Sequence, residues 1–210
     1  VAALALYDEA LAHKPEQRDA LLGRVVTLSY LGRYDEAIAG ATRLLDLGTW
    51  YLGDAYYWRA WNRYYSKDLG GAETDIASAK RLLQNVDVLT LSGVVAYDQK
   101  RRSDARREFA AVQKMTRDSC MAWWYMGLIE GDDRAWAESV RQFNGAASCY
   151  DRIVTELSAE IEALPADLDP AERERQTGDL ERRSRDAARQ AERSRYNAGQ
   201  AGPNLSPGPR

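Results

Sequence analysis

The sequence predicts an all-α solenoid of stacked helical hairpins. A small residue recurs at Ala3, Ala37, Ala72, Ala105 and Ser139, with gaps of 34, 35, 33 and 34 residues. An apolar residue follows four positions later at Tyr7, Ile76, Phe109 and Phe143, with Ala41 as the small copy. Another follows three positions further, at Ala10, Leu44, Ala79, Val112 and Ala146. That spacing puts all three on one helix face. Twelve positions before each of the last four copies lies a second close-contact residue: Val25, Ala60, Gly93 and Gly127. A constant period near 34 with two helices per unit marks a repeat array, in which each hairpin buries its apolar face on its neighbours.

The elements follow in order. Val1 to His13 forms a second helix with no first-helix partner, and Pro15 closes that unit. With no initiator Met, the chain reads as a mature or truncated product. Four hairpins then pair 17–31 with 34–47, 52–66 with 69–83, 86–99 with 102–115, and 119–131 with 135–164. About eleven helices and no sheet are expected. The turn is clearest at Leu31-Gly32-Arg33-Tyr34-Asp35-Glu36, where Gly32 ends one helix and the acids start the next. The stripe Tyr150, Ile153, Val154, Leu157, Ile161 and Leu164 extends the last second helix until Pro165 stops it. Asp169-Pro170 with Glu172 restarts a helix over about 170–197. Its stripe is small (Leu180, Ser184, Ala187, Ala188, Ala191) and its outer face holds Arg and Glu, with pairs of the Glu181–Arg185 type. It is expected to fold back as an antiparallel cap. The domain plan is therefore an array over 1–150, an extended helix and cap over 151–197, and an irregular tail over 198–210. Asn204-Leu205-Ser206 in that tail is a formal glycosylation sequon, common by chance.

These residues resemble the tetratricopeptide repeat (TPR) family. Trp123, Met126, Gly127, Ser139, Phe143 and Ala146 match its pattern in the last unit, and Gly32, Tyr34, Ala37, Leu44 and Leu47 match in the first full one. The resemblance covers roughly 1–150 and implies a TPR-type helical-hairpin solenoid, a right-handed superhelix, closed by a C-terminal capping hairpin. Arg59 and Arg63 depart from the pattern, where core leucine and tyrosine are expected. Either their helix is rotated, or they bury their stems and pair with carboxylates.

The resemblance also implies that the first helices line a concave face. Carried over by position, that face holds Asp19, Leu22, Val26 and Ser29, then Tyr57, Trp61, Tyr64 and Tyr65, then Thr90, Val94 and Tyr97, then Trp124 and Leu128. Spacing alone puts Tyr57, Trp61 and Tyr64 on one stripe. The candidate binding residues are thus Tyr57, Trp61, Tyr64, Tyr97, Trp124 and Leu128. The basic and asparagine side chains with which family members clamp a terminal carboxylate are missing from these positions, which argues against chaperone-tail binding. An aromatic groove with few charges suits a peptide, an amphipathic helix or a sugar chain. The other reading is that the protein packs these rings itself, against neighbouring helices or its own C-terminal segment.

Composition bounds the rest. The 210 residues are 45% hydrophobic and 29% charged, ordinary for a soluble protein. A net charge of −3 and a pI near 5.4 give no reason to expect nucleic acid. No apolar run is long enough to insert in a membrane. Location is cytoplasmic or, with a signal removed, periplasmic or extracellular. Cys120 and Cys149 fall at the same end of the last hairpin, so a disulfide and two core thiols both fit.

No catalytic constellation is visible. His13 is the single histidine, and the cysteines lack metal-site spacing. Gly70-Gly71 and Asp132-Asp133 fall in turns. No cofactor and no enzymatic activity are expected. The expected function is a protein-interaction scaffold for a peptide or helix. The alternative is a self-associating structural subunit of a repeat-protein assembly or filament, as in a cell envelope.

Overall fold

A computed structural model describes residues 2–202 of the chain. Among these there are ten helices and no strand. They are α1 (Ala2–His13), α2 (Arg18–Tyr30), α3 (Tyr34–Leu47), α4 (Leu52–Tyr65), α5 (Leu69–Leu82), α6 (Val86–Asp98), α7 (Arg102–Met115), α8 (Cys120–Asp132), α9 (Trp136–Glu162) and α10 (Pro170–Ala201). Each helix of the four expected hairpins is present to within two residues at every end. The expected count of eleven exceeds the ten observed. The sequon lies outside the described residues.

The repeat is written into the turns. At Gly32, Lys67, Lys100 and Arg134 the backbone is left-handed, with φ between 60° and 72°. Each of the four donates its N–H three residues back, and the next residue donates five residues back. For Lys100 these bonds are to Tyr97 O at 2.9 Å and from Arg101 to Ala96 O at 2.9 Å. This is the paired closure that ends a helix through one left-handed residue. Only the first copy is the glycine such a turn favours. The starts of α5, α6 and α10 are capped by a short side-chain acceptor. Asp68 Oδ1 accepts from Gly71 N at 2.8 Å, Asn85 Oδ1 from Val88 N at 3.0 Å, and Asp169 Oδ1 from Ala171 N at 3.0 Å.

The chain divides into two compact units, Val1–Glu108 and Phe109–Arg210. In the first unit the small repeat positions Ala37, Ala72 and Ala105 are fully buried, as are Val25 and Ala60. One cluster joins Leu4, Leu21, Val25, Leu28, Ala37, Ala41 and Leu44; a second joins Ala60, Ala72, Ile76, Leu91 and Val95.

In the second unit Ser139 Oγ donates to Gly127 O at 2.8 Å, a direct contact between the two close-approach positions. A Cβ built on Gly127 would lie 2.7 Å from the Phe143 ring, so only glycine fits there without a shift. Of the two readings for the cysteines, the bridge holds: Cys120 and Cys149 form a disulfide, with Cα atoms 5.3 Å apart. Both α8 and α10 pack along α9. The fourth hairpin and the C-terminal hairpin thereby share one core. The buried stripe of α10 is Leu180, Ala187, Ala191, Ser194, Ala198 and Ala201. The helix therefore runs past 197, where the irregular tail was expected to begin. Its outer arginines pair along the helix, as in Arg182 with Asp179 at 2.6 Å and Arg185 with Glu181 at 3.5 Å.

Candidate binding surface

Helix α4 carries the run Tyr56-Tyr57-Trp58-Arg59-Ala60-Trp61-Asn62-Arg63-Tyr64-Tyr65. Its rotation is set by charge. Arg59 donates to Asp75 of α5 through Nε at 2.8 Å and Nη2 at 2.7 Å, and Arg63 Nη1 reaches the same carboxylate at 2.8 Å. Asp75 is 1% exposed. Of the two readings for these arginines, paired burial is therefore the one found. The Asp75 hydrogen bond is the main cause that raises the Arg59 guanidinium above its ordinary value. Asn62, fully buried, donates to Ser29 Oγ of α2 at 2.7 Å and pins a flank. At 100° per residue, Arg59 and Arg63 lie roughly opposite Tyr57, Trp61 and Tyr64. Clamping the arginines on α5 thus turns the aromatic stripe away from it.

The rings form one connected patch. Trp61 is central and half-buried, with ring centroids at 6.3 Å from Tyr57, 6.1 Å from Trp58 and 5.1 Å from Tyr65. Tyr30 of α2 reaches Trp58 at 5.9 Å, Tyr34 of α3 stacks on Tyr65 at 5.5 Å, and Tyr64 meets Tyr65 at 5.1 Å. Such offset and edge contacts hold rings in place. The patch is only partly covered: Tyr30 is 78% exposed and Tyr65 41%. On the α6 side the Tyr64 hydroxyl donates to Asp98 at 2.9 Å. Burial, and after it the charge of Asp87, pushes the Tyr57 hydroxyl well above the usual phenol range.

The six expected residues divide. Tyr57, Trp61 and Tyr64 come together as the core of this patch, and Tyr97 is half-buried on α6 in the same unit. Trp124 and Leu128 belong to the second unit. Trp124 is 9% exposed, packed on Phe143 at 5.3 Å and on Ala198, with the Arg193 guanidinium 4.6 Å over its ring. The protein's own α10 covers it, so Trp124 is core and presents no open surface. Leu128 packs half-buried beside it. Trp58, Tyr30 and Tyr34 were not expected in the patch. Trp58 is three residues before Trp61, and Tyr30 and Tyr65 share a repeat position 35 residues apart, so a helical wheel and the period could have found them. Among the described residues no cluster of His, Cys, Asp or Glu could hold a metal ion, and no helix is long and apolar enough to cross a membrane.

Solved structures share the fold. YrrB, a TPR protein with an unusual peptide-binding site, superposes with a TM-score of 0.59 at 14% identity, over 94% of this chain and 97% of its own. The fold is the tetratricopeptide repeat solenoid. MamA superposes with a TM-score of 0.62 at 19% identity, over 71% of this chain and 87% of its own. The anaphase-promoting complex assembly Cut9–Hcn1 gives a TM-score of 0.62 at 16% identity, over 93% of this chain and 38% of that one. No protein-family model matches the sequence, and no curated protein matches it.

Proposed function

We propose that this chain is a non-enzymatic scaffold that holds a peptide or helix of a partner protein against the aromatic face of α4. The observation that carries this is the connected, half-exposed patch around Trp61, with Tyr57, Trp58, Tyr64 and Tyr65. Rings already fixed by their neighbours lose little freedom on binding and offer large contact area. The peptide-binding site of YrrB lends the reading support by analogy of fold. The test is capture of partner proteins by the immobilised chain and by Trp61→Ala, with circular dichroism on both. Capture lost with the fold intact supports the surface. Loss of helicity or of cooperative unfolding would make Trp61 a core residue and remove it. A concentration-dependent oligomer on sizing would transfer the reading to a self-assembling subunit.

A further inference from the structure

Carboxylates border the aromatic patch: Asp98 accepts from the Tyr64 hydroxyl at the C-terminal end of α6, and further acids stand at the opposite end. Asp54 sits in the first turn of α4, three and four residues before Tyr57 and Trp58, on the patch side of the helix. Asp87 sits in the first turn of α6, near enough to Tyr57 for its charge to act on that hydroxyl. Helices α4 and α6 are consecutive first helices, so they run in the same direction and their first turns lie at the same end. Asp19, in the first turn of α2, accepts from the Tyr51 hydroxyl at 2.5 Å and completes the row. The three acids recur at intervals of 35 and 33 residues, in step with the repeat. Favourable helix-dipole contact accounts for an acid at each N-terminus. It does not account for the missing cations. On the second helices several acids are paired, Glu36 with Arg33, Asp75 with Arg59 and Glu108 with Lys80. Among the described residues none of Asp19, Asp54 and Asp87 has a Lys or Arg within ion-pair distance. Lys67 stands 5.9 Å from the Tyr64 ring at the other, C-terminal end of α4.

From this we infer that the partner segment is basic. Its Lys or Arg heads lie at the Asp54–Asp87 end, and its aliphatic stems lie across Tyr57 and Trp61. The aromatic faces attract the same cations that the carboxylates do, so both halves of the surface select one chemistry. The inference rests on the aromatic-face reading above and adds the sign of the ligand.

The probes are three short fluorescein-labelled peptides of one length. They carry lysine, glutamine or glutamate at every third position of a common alanine–leucine background, and binding is read by anisotropy. The lysine peptide is expected to bind about tenfold tighter than the glutamine peptide at low salt, with the gap narrowing as salt rises. Asp54→Asn with Asp87→Asn should remove about that tenfold from the lysine peptide and leave the glutamine peptide unchanged. Glu156→Gln with Asp167→Asn removes the same charge from the second unit and should leave both peptides unchanged. Trp61→Ala should weaken every peptide that binds. The inference is overturned if the lysine peptide does not bind, if the glutamine or glutamate peptide binds as tightly, or if the control pair weakens binding as much as the Asp pair. Charge-blind binding that still depends on Trp61 would leave the surface standing and remove only its sign. Binding indifferent to Trp61 would remove the surface itself.

Discussion

Replacing Asp75 by alanine tests the element that orients the aromatic face. Its carboxylate is almost wholly buried and accepts three charge-assisted hydrogen bonds at 2.7–2.8 Å from Arg59 and Arg63. Bonds to charged groups are worth about 1.5–3 kcal/mol each, so the gross loss is roughly 5–9 kcal/mol. Much of that is returned. The two arginine side chains are 15% and 26% exposed, and without Asp75 they can turn their heads to water. The carboxylate's own desolvation cost also disappears. Breaking a buried pair by removing one partner typically costs about 3–5 kcal/mol, and the partial exposure puts this case near 3 kcal/mol. Urea titration followed by tryptophan fluorescence is the assay, since Trp58 and Trp61 flank Arg59 and report on the first unit. Arg59→Met should cost less, because Arg63 still neutralises Asp75. A midpoint for Asp75→Ala that corresponds to under about 0.5 kcal/mol would refute the clamp as the determinant of α4 rotation.

Four further outcomes follow from the packing. Gly127→Leu should destabilise by about 1–3 kcal/mol because the Phe143 ring occupies the space of a Cβ, and the buried Gly93→Leu should act alike; both are read by chemical denaturation. Cys120→Ser should cost about 3–4 kcal/mol from reopening a loop of 29 residues, and dithiothreitol should lower the wild type to the same urea midpoint. Lys100→Gly should stabilise by about 0.5–1 kcal/mol, since a left-handed lysine is strained where glycine is not; thermal melts check it. Tyr57 binds its proton more tightly folded than unfolded. Its stabilising effect is therefore complete below the unfolded value near 10 and is lost as pH rises above it, and Tyr57→Phe should flatten that alkaline decline in a pH series of urea midpoints.

The period and the turn signals together located the helices of all four hairpins, because small residues recur where backbones cross closely. The left-handed turn residue was legible only at Gly32, and Gly70-Gly71, read as a turn, lies in the first turn of α5. Lys67, Lys100 and Arg134 adopt the same left-handed geometry without the residue type that announces it. The stripe of Tyr57, Trp61 and Tyr64 could be read from spacing, since all three share one helix. Trp124 shares their repeat register yet is covered by α10, and nothing within its own repeat says what a helix some seventy residues later will cover. The ion triad illustrates the same limit. Arg59 and Arg63 stand out as departures from the repeat pattern, but the partner that makes their burial tolerable lies on another helix.

The Cys120–Cys149 bridge changes how the fourth repeat meets a mechanical load. A pull on the two ends of the chain passes from the start of α8 through sulfur to the middle of α9. The residues between carry none of it, and about 100 Å of contour cannot be drawn out. A protease that nicks the turn at Asp133–Arg134 likewise leaves the two pieces joined. A partner that tugs on this scaffold would therefore meet one repeat that yields neither length nor fragments until its sulfurs are reduced.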